Sequence, residues 1–236
     1  MKKANIAVLV SGGGTNLQAL IDAQNAGKII SGEIKLVVSN KEGAYALTRA
    51  SDAGIDGVTI LRSNCGSKEA FESAILMMLK QYDIDVIVLA GFLSVLSESF
   101  VKNYPNRIIN VHPSLIPSFC GDGYYGLRVH EEALKYGVKV TGATVHFVNE
   151  VTDGGRIILQ KAVDVHEDDT PESLQKRVME EAEWQLLSKA ISNIRLSGFE
   201  TPSSADAMTK SIYFRTPRFS NLSEVPNGWF AIIPIS

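Results

Sequence analysis

Cysteine is scarce in this chain: Cys65 and Cys120 are the two in 236 residues. Two cysteines cannot build a disulfide framework, and nothing in their spacing marks them as metal ligands. Such usage fits a reducing, cytoplasmic setting. An excess of one charge is lacking too. The 23 Lys and Arg against 26 Asp and Glu leave a net charge of -3. That is no electrostatic footprint for nucleic acid or an anionic membrane. No apolar run is long enough to span a bilayer. Met1-Lys2-Lys3-Ala4 has the charge of a signal-peptide start. However, the apolar run Ile6–Val10 is short and ends in Ser-Gly-Gly-Gly, which reads as a first core strand. There are no internal repeats.

What is present is an ordinary globular composition, 45% hydrophobic and 21% charged. A chain of this length is expected to bury roughly 70% of its unfolded surface as one domain. Strand-like and helix-like segments alternate over about 200 residues. Strands are expected over 5–10, 33–39, 57–61, 85–90, 107–112, 143–148 and 156–163. Helices are expected over 16–26, 44–53, 68–82, 97–103 and 129–136, with a long last helix from Thr170 to Arg195. In that helix a capping Thr precedes a proline at the first helical position. Asp85–Ala90 shows no polar alternation, as a strand covered on both faces should. The βαβ alternation predicts an α/β fold with a doubly wound, mostly parallel sheet and helices on both faces. We expect one domain over 1–199 and a C-terminal extension over 200–236. Tyr213, Phe214, Phe219, Trp229 and Phe230 suit that extension to a strand or hairpin covering a sheet edge or a neighbouring subunit.

The most informative run is Asn110-Val-His112-Pro-Ser-Leu-Ile-Pro117. Strand side chains alternate faces, so Asn110 and His112 point the same way and Val111 points back. Pro113 forces His112 into an extended conformation and stops the strand. An amide donor and an imidazole then share the carboxyl end of a strand, where open α/β sheets bind ligands. A reaction with a developing oxyanion requires such a pair. The bland alternative for His112 is a satisfied strand-end histidine.

Ser11-Gly12-Gly13-Gly14-Thr15-Asn16 links the first strand to the first helix. Its glycines let backbone N–H groups approach an anion, and the helix start supplies a positive dipole end. The pattern matches neither the dinucleotide fingerprint nor the Walker motif, so a phosphate monoester suits it better. A plain tight turn with an N-cap is the alternative. Asp153-Gly154-Gly155 reads either as a turn or as a carboxylate folded back against His112, raising the histidine pKa. His146 lies in an apolar strand and reads as a core or supporting residue. His130 falls near a helix start, and His166 lies in the acidic run 164–169, which reads as a solvated loop. The four histidines lack metal-ligand spacing, so no metal is expected.

Ser-Gly-Gly-Gly-Thr-Asn (11–16), Val-Leu-Ala-Gly-Phe-Leu (88–93), Asn-Val-His-Pro-Ser-Leu-Ile-Pro (110–117), Gly-Ala-Thr-Val-His-Phe-Val (142–148) and Asp-Gly-Gly (153–155) stand in one order. That order closely resembles the phosphoribosylglycinamide formyltransferases, a folate-dependent formyltransferase family with a Rossmann-type N-terminal half. The resemblance covers about residues 4–197. It implies transfer of a formyl group from 10-formyltetrahydrofolate to the amine of glycinamide ribonucleotide in purine biosynthesis. Asn110, His112 and Asp153 would be the catalytic set. Asn110 and a protonated His112 would donate to the oxyanion, and Asp153 would keep His112 charged and move protons. Gly13, Gly14, Thr15 and Asn16 would hold the ribonucleotide phosphate. With a one-residue shift, Glu183 matches the family glutamate that meets the ribose. The folate would lie across Leu93-Ser94-Val95-Leu96 and Asn149-Glu150-Val151-Thr152. Ser94 stands where the best-known members carry a basic residue, and Lys68 stands where an Arg is frequent near the glutamate tail. The glycines of loop 118–128 would suit a lid. The resemblance implies small-molecule substrates, no metal, no nucleic acid, no membrane, and a monomer or homodimer.

Three other readings compete. A hydrolase that deformylates the same folate is expected to carry an added N-terminal domain and a different first loop. A methionyl-tRNA formyltransferase needs a further domain and a basic surface. A phosphate-sensing module has no use for three polar groups converging at the strand mouth.

Overall fold

The computed structural model describes residues 3–193 and 231–232. The strands are β1 Ala4–Val10, β2 Gly32–Ser39, β3 Asp56–Thr59, β4 Val86–Leu89, β5 Ile108–His112, β6 Val140–Phe147, β7 Ile157–Asp164 and β8 Ala231–Ile232. The helices are α1 Thr15–Asn25, α2 Tyr45–Asp52, α3 Lys68–Gln81, α4 Glu98–Val101, α5 Leu127–Tyr136, α6 Pro171–Val178 and α7 Trp184–Asn193. One sheet runs β7-β6-β5-β4-β1-β2-β3-β8. β1 to β5 pair in parallel, whereas β6, β7 and β8 join antiparallel. This is the doubly wound, mostly parallel α/β sheet expected. The expected extension over 200–236 lies outside the described residues, apart from β8 on the edge beside β3.

Period-2 alternation sorts the core. Ile6, Val8 and Val10 join a cluster with Leu17, Leu20, Leu47, Leu174 and Leu187, beneath α1, α2, α6 and α7. Ala7 and Leu9 point the other way, toward Phe71, Ile75, Leu79 and Phe100 of α3 and α4. Each fully buried Leu, Ile or Phe is worth about 1.5–3 kcal/mol, so covering both faces anchors β1 in the core.

The order of strand addition reverses beside β1. β2 and β3 lie to one side of it, while β4 and β5 lie to the other. The loops after β1 and β4 therefore diverge at their carboxyl ends and leave a crevice between them. Leu93 N–H donates to Ser11 Oγ at 2.9 Å and ties the two loops together.

The long last helix departs from expectation. Thr170 caps it through Ser173, with Pro171 in the first turn, as expected. At Met179–Glu183 the helix then opens into a π turn before continuing as α7. A π turn holds one residue more than an α turn. Ala182 and Glu183, both in this turn, end up buried. Within the acidic run 164–169, Asp169 is not solvated. Its side chain is 2% exposed and accepts two hydrogen bonds from Arg177, one to each oxygen at 2.6 Å.

Candidate active site

β5 delivers Asn110 and His112 to the crevice two residues apart on one face. Their partners follow from the antiparallel register with β6, which sets Asn110 opposite His146 and His112 opposite Thr144. His146 Nδ1 donates to the Phe147 carbonyl at 2.9 Å. Its Nε2 is then free to accept from Asn110 Nδ2 at 3.2 Å. One amide N–H of Asn110 is taken up in this way, and the other remains for a ligand. By its place in an apolar strand, His146 reads as a core or supporting residue. The structure makes it the support that orients Asn110, a role visible only once β5 and β6 are paired.

The turn after β6 carries Asp153 back to both rings. Asp153 Oδ2 lies 3.5 Å from His112 Nδ1, and Oδ1 lies 3.5 Å from His146 Nε2. Gly121 N–H donates to Oδ2 at 2.9 Å. Asp153 adopts a left-handed backbone, φ 54, as does Phe119 at φ 48. Two non-glycine residues strained in this way beside one imidazole are typical of a functional site. Burial acts to raise the Asp153 pKa. His146, the nearby His112 and the Gly121 N–H together outweigh it and hold the carboxyl below its usual range.

The expectation that Asp153 keeps His112 protonated is corrected. Burial dominates and pushes His112 below its ordinary value, although Asp153 and the Phe119 carbonyl both act to raise it. His112 is 4% exposed, and removing a charged ring from water outweighs one carboxylate at 3.5 Å. Burial thus shifts the ring toward its neutral form. Its Nε2 lies 2.8 Å from the Phe119 carbonyl. A carbonyl only accepts, so Nε2 carries the hydrogen. His130, buried behind on α5, is pushed down to about 4, first by burial and then by His112. It adds no charge near neutral pH.

Asn110, His112 and Asp153 line a cavity of about 480 Å³. Leu93, Ser94, Val95 and Leu96 form one wall, and Asn149, Glu150, Val151 and Thr152 form another. Leu93, Val95 and Val151 are largely exposed apolar side chains. Two such walls leading to a polar end suit a flat heteroaromatic ring. Ser94 Oγ accepts from Asn40 at 2.8 Å. Lys68 is not part of this cavity and lies 3.9 Å from Glu72.

Asn16 and Glu183 form a second group, outside that cavity's walls, with Gly13 and Gly14 in the loop just before α1. Asn16 Nδ2 donates to Glu183 Oε2 at 2.7 Å, and both side chains are buried. Asn16 Oδ1 has no partner and can accept from a ligand hydroxyl. Thr15 Oγ1 lies 3.7 Å from Met179 Sδ. Burial raises Glu183 to about 7, with Asn16 opposing. Its folded pKa thus exceeds the unfolded value of about 4.3. Between those values the folded state binds more protons than the unfolded one, so stability falls as pH rises through the window. The loss reaches about 4 kcal/mol in order of magnitude, at about 1.4 kcal/mol per unit. Glu183→Gln is expected to remove this slope. Urea melts at pH 5 and pH 7.5 check it; an unchanged slope would assign the pH dependence to another group.

Comparison with known proteins agrees with this geometry. Residues 4–191 match the formyl transferase family. Over 174 residues the chain is 44% identical to phosphoribosylglycinamide formyltransferase of Escherichia coli (strain K12), covering 74% of this chain and 79% of that protein. It is 46% identical over 177 residues to the Homo sapiens trifunctional purine biosynthetic protein adenosine-3. That match covers 75% of this chain but only 17% of the much longer relative. The crystal structure of glycinamide ribonucleotide transformylase 1 from Symbiobacterium toebii superposes with a TM-score of 0.76 at 42% identity, covering 80% of this chain and 86% of that one. With the match over residues 4–191 and a relative 44% identical along most of its length, the chain belongs to the formyl transferase family.

Proposed function

We propose that this protein transfers the formyl group of 10-formyltetrahydrofolate to the amine of phosphoribosylglycinamide, a step of purine biosynthesis. The observation that carries the reading is the meeting of Asn110, His112 and Asp153 at the polar end of one cavity. Family membership supplies the reaction class. The folate ring lies between the 93–96 and 149–152 walls, and the phosphoribosyl group runs toward Asn16, Glu183 and the glycine loop.

The amine nitrogen attacks the formyl carbon, and negative charge gathers on the formyl oxygen. Asn110 Nδ2 and His112 Nε2 donate to that oxygen. His112 Nε2–H is a donor whether the ring is neutral or charged. The formyl oxygen takes the place of the Phe119 carbonyl, so the loop 118–126 moves aside as substrate enters. Asp153, ionised at neutral pH, receives a proton from the attacking nitrogen. It returns the proton to the folate nitrogen as the carbon–nitrogen bond to folate breaks. The products are formylated amine and tetrahydrofolate, so atoms and protons balance. Thr144 supports the strand mouth by accepting from Ile116 N–H at 3.0 Å and donating to the Ser114 carbonyl at 2.7 Å.

Formyl transfer measured with and without phosphoribosylglycinamide tests the reading. The expected result is folate consumption that requires the amine and yields formylated product in equal amount. Consumption that ignores the amine indicates a hydrolase instead, and no consumption indicates a binding module.

A further inference from the structure

We propose that Glu72, a carboxylate buried on α3, is a positioning residue for the cavity wall 93–96: it grips Ser97 and so fixes where that wall meets the formyl folate. This rests on reading 93–96 as a wall of the folate site. The wall does not support itself. It lies between β4 and α4, outside any strand or helix. Among the described residues the backbone of Val95 and of Leu96 makes no hydrogen bond. The course of the wall is set from its ends instead. At its start, Leu93 N–H donates to Ser11 Oγ at 2.9 Å, and Asn40 Nδ2 donates to Ser94 Oγ at 2.8 Å. Just past its far end, Ser97 N–H donates to Glu72 Oε1 at 2.7 Å, and the Ser97 hydroxyl donates to Oε2. Both oxygens of one carboxylate hold one residue, which fixes its direction as well as its position.

The base of this grip is firm. Phe71, Ile75 and Leu79 of α3 share one buried cluster with Phe100 of α4. Glu72 itself is 5% exposed. Among the described residues the cation within ion-pair reach of it is Lys68, one turn back and 3.9 Å away. A carboxylate this far from water is tolerated because donors engage both its oxygens. Ser97 is also the N-cap of α4, its Oγ accepting from Phe100 N–H at 3.1 Å. In a capping box the residue at Phe100's position would be Glu or Gln and would accept from the cap's own N–H. Phe100 cannot, and Glu72 supplies that acceptor from another helix. Anchored in this way, Ser97 orders the residues before it. Leu96 turns into the cluster beneath α3 and α4, while Leu93 and Val95 stay exposed and line the cavity. Without Glu72 the wall is free to swing from α3, and its apolar side chains lose their set distance from the opposite wall.

The test is kinetics of the full chain with both substrates varied, for wild type, Glu72→Ala, Glu72→Gln and Ser97→Ala. Glu72→Ala is expected to raise KM for 10-formyltetrahydrofolate about 10-fold, since a displaced wall weakens binding in ground and transition state alike. KM for phosphoribosylglycinamide should stay within about twofold, and kcat at saturating folate within about threefold. Glu72→Gln should restore most of the loss, because its amide oxygen still accepts from Ser97 N–H and its amide nitrogen can donate to Ser97 Oγ. Ser97→Ala keeps the N–H bond and loses the hydroxyl; it should raise the folate KM about threefold and serves if Glu72→Ala does not fold. Calorimetric titration with tetrahydrofolate reads the same wall without catalysis, and Kd should rise in step with the folate KM. A Glu72 that only stabilises the fold would lower Tm and the folded fraction and leave both KM values alone. That outcome, or an equal rise in both KM values, overturns the proposal. If wild type binds tetrahydrofolate but transfers no formyl group, the functional reading fails, and the Kd values alone then decide the role of Glu72.

Discussion

His112→Ala is expected to lower kcat by about 10²–10³-fold, the usual cost of removing one oxyanion donor. The ring is one of two side-chain donors at the cavity's polar end, and no other described group can take its place. Asn110 is already half committed to His146. His130 lies behind the site, with burial pushing its pKa down to about 4. The fold should survive. Truncation to Ala removes the bond to the Phe119 carbonyl and the approach to Asp153, and a hydrogen bond contributes only about 1 kcal/mol net. Far-UV circular dichroism and Tm should therefore stay near wild type while turnover collapses. A folded His112→Ala protein turning over at the wild-type rate would remove the mechanism. The variant loses the Nε2–H donor together with the ring.

Gly155→Ala is expected to damage stability and turnover together, by another route. A Cβ at this position would lie 1.7 Å from the Phe147 carbonyl oxygen and 2.7 Å from its carbon. Both are backbone atoms at the end of β6, where Phe147 N–H is bonded to the Arg156 carbonyl at 2.9 Å. The strand end cannot give way cheaply. Either the β6–β7 ladder opens beside His146, or the turn 149–154 is pushed outward and takes Asp153 with it. Overpacking of this kind costs about 1–3 kcal/mol, and each kcal/mol lowers Tm by about 2–4 °C in a chain of this size. We expect a Tm several degrees lower and, in the protein that remains folded, a kcat reduced about tenfold or more as Asp153 leaves His112. Gly12→Ala is the stability control, since its Cβ would meet nothing within 4 Å. Equal Tm values for the two variants would show that the turn after β6 is looser than these distances require.

Much of the architecture is legible locally. The unbroken apolar run Ile6–Val10 reads as a core strand, and the two clusters on either face of β1 bury it from both sides. The two-residue spacing of Asn110 and His112, followed by Pro113, places both at the end of β5 without knowledge of any other strand. Thr170-Pro171 marks a helix start by itself. The interrupted helix is less legible. Nothing in Met179–Glu183 breaks a helical pattern, and the π turn becomes evident only when Glu183 must reach Asn16 across from α1.

By itself, the sequence determined which chemistry is available: a strand-end amide and imidazole, a glycine loop before a helix, and an acid in a turn. Each of these depends on neighbours within a few residues, where backbone sterics act. Tertiary structure alone decided how those groups are used. It set His146 against Asn110, 36 residues away, and Arg49 against the Gly13 carbonyl, 36 residues away. Through burial it lowered the His112 pKa and lifted that of Glu183 to about 7. Desolvation and cross-strand contact arise from atoms brought together only by folding, and short-range sequence preferences carry no record of them.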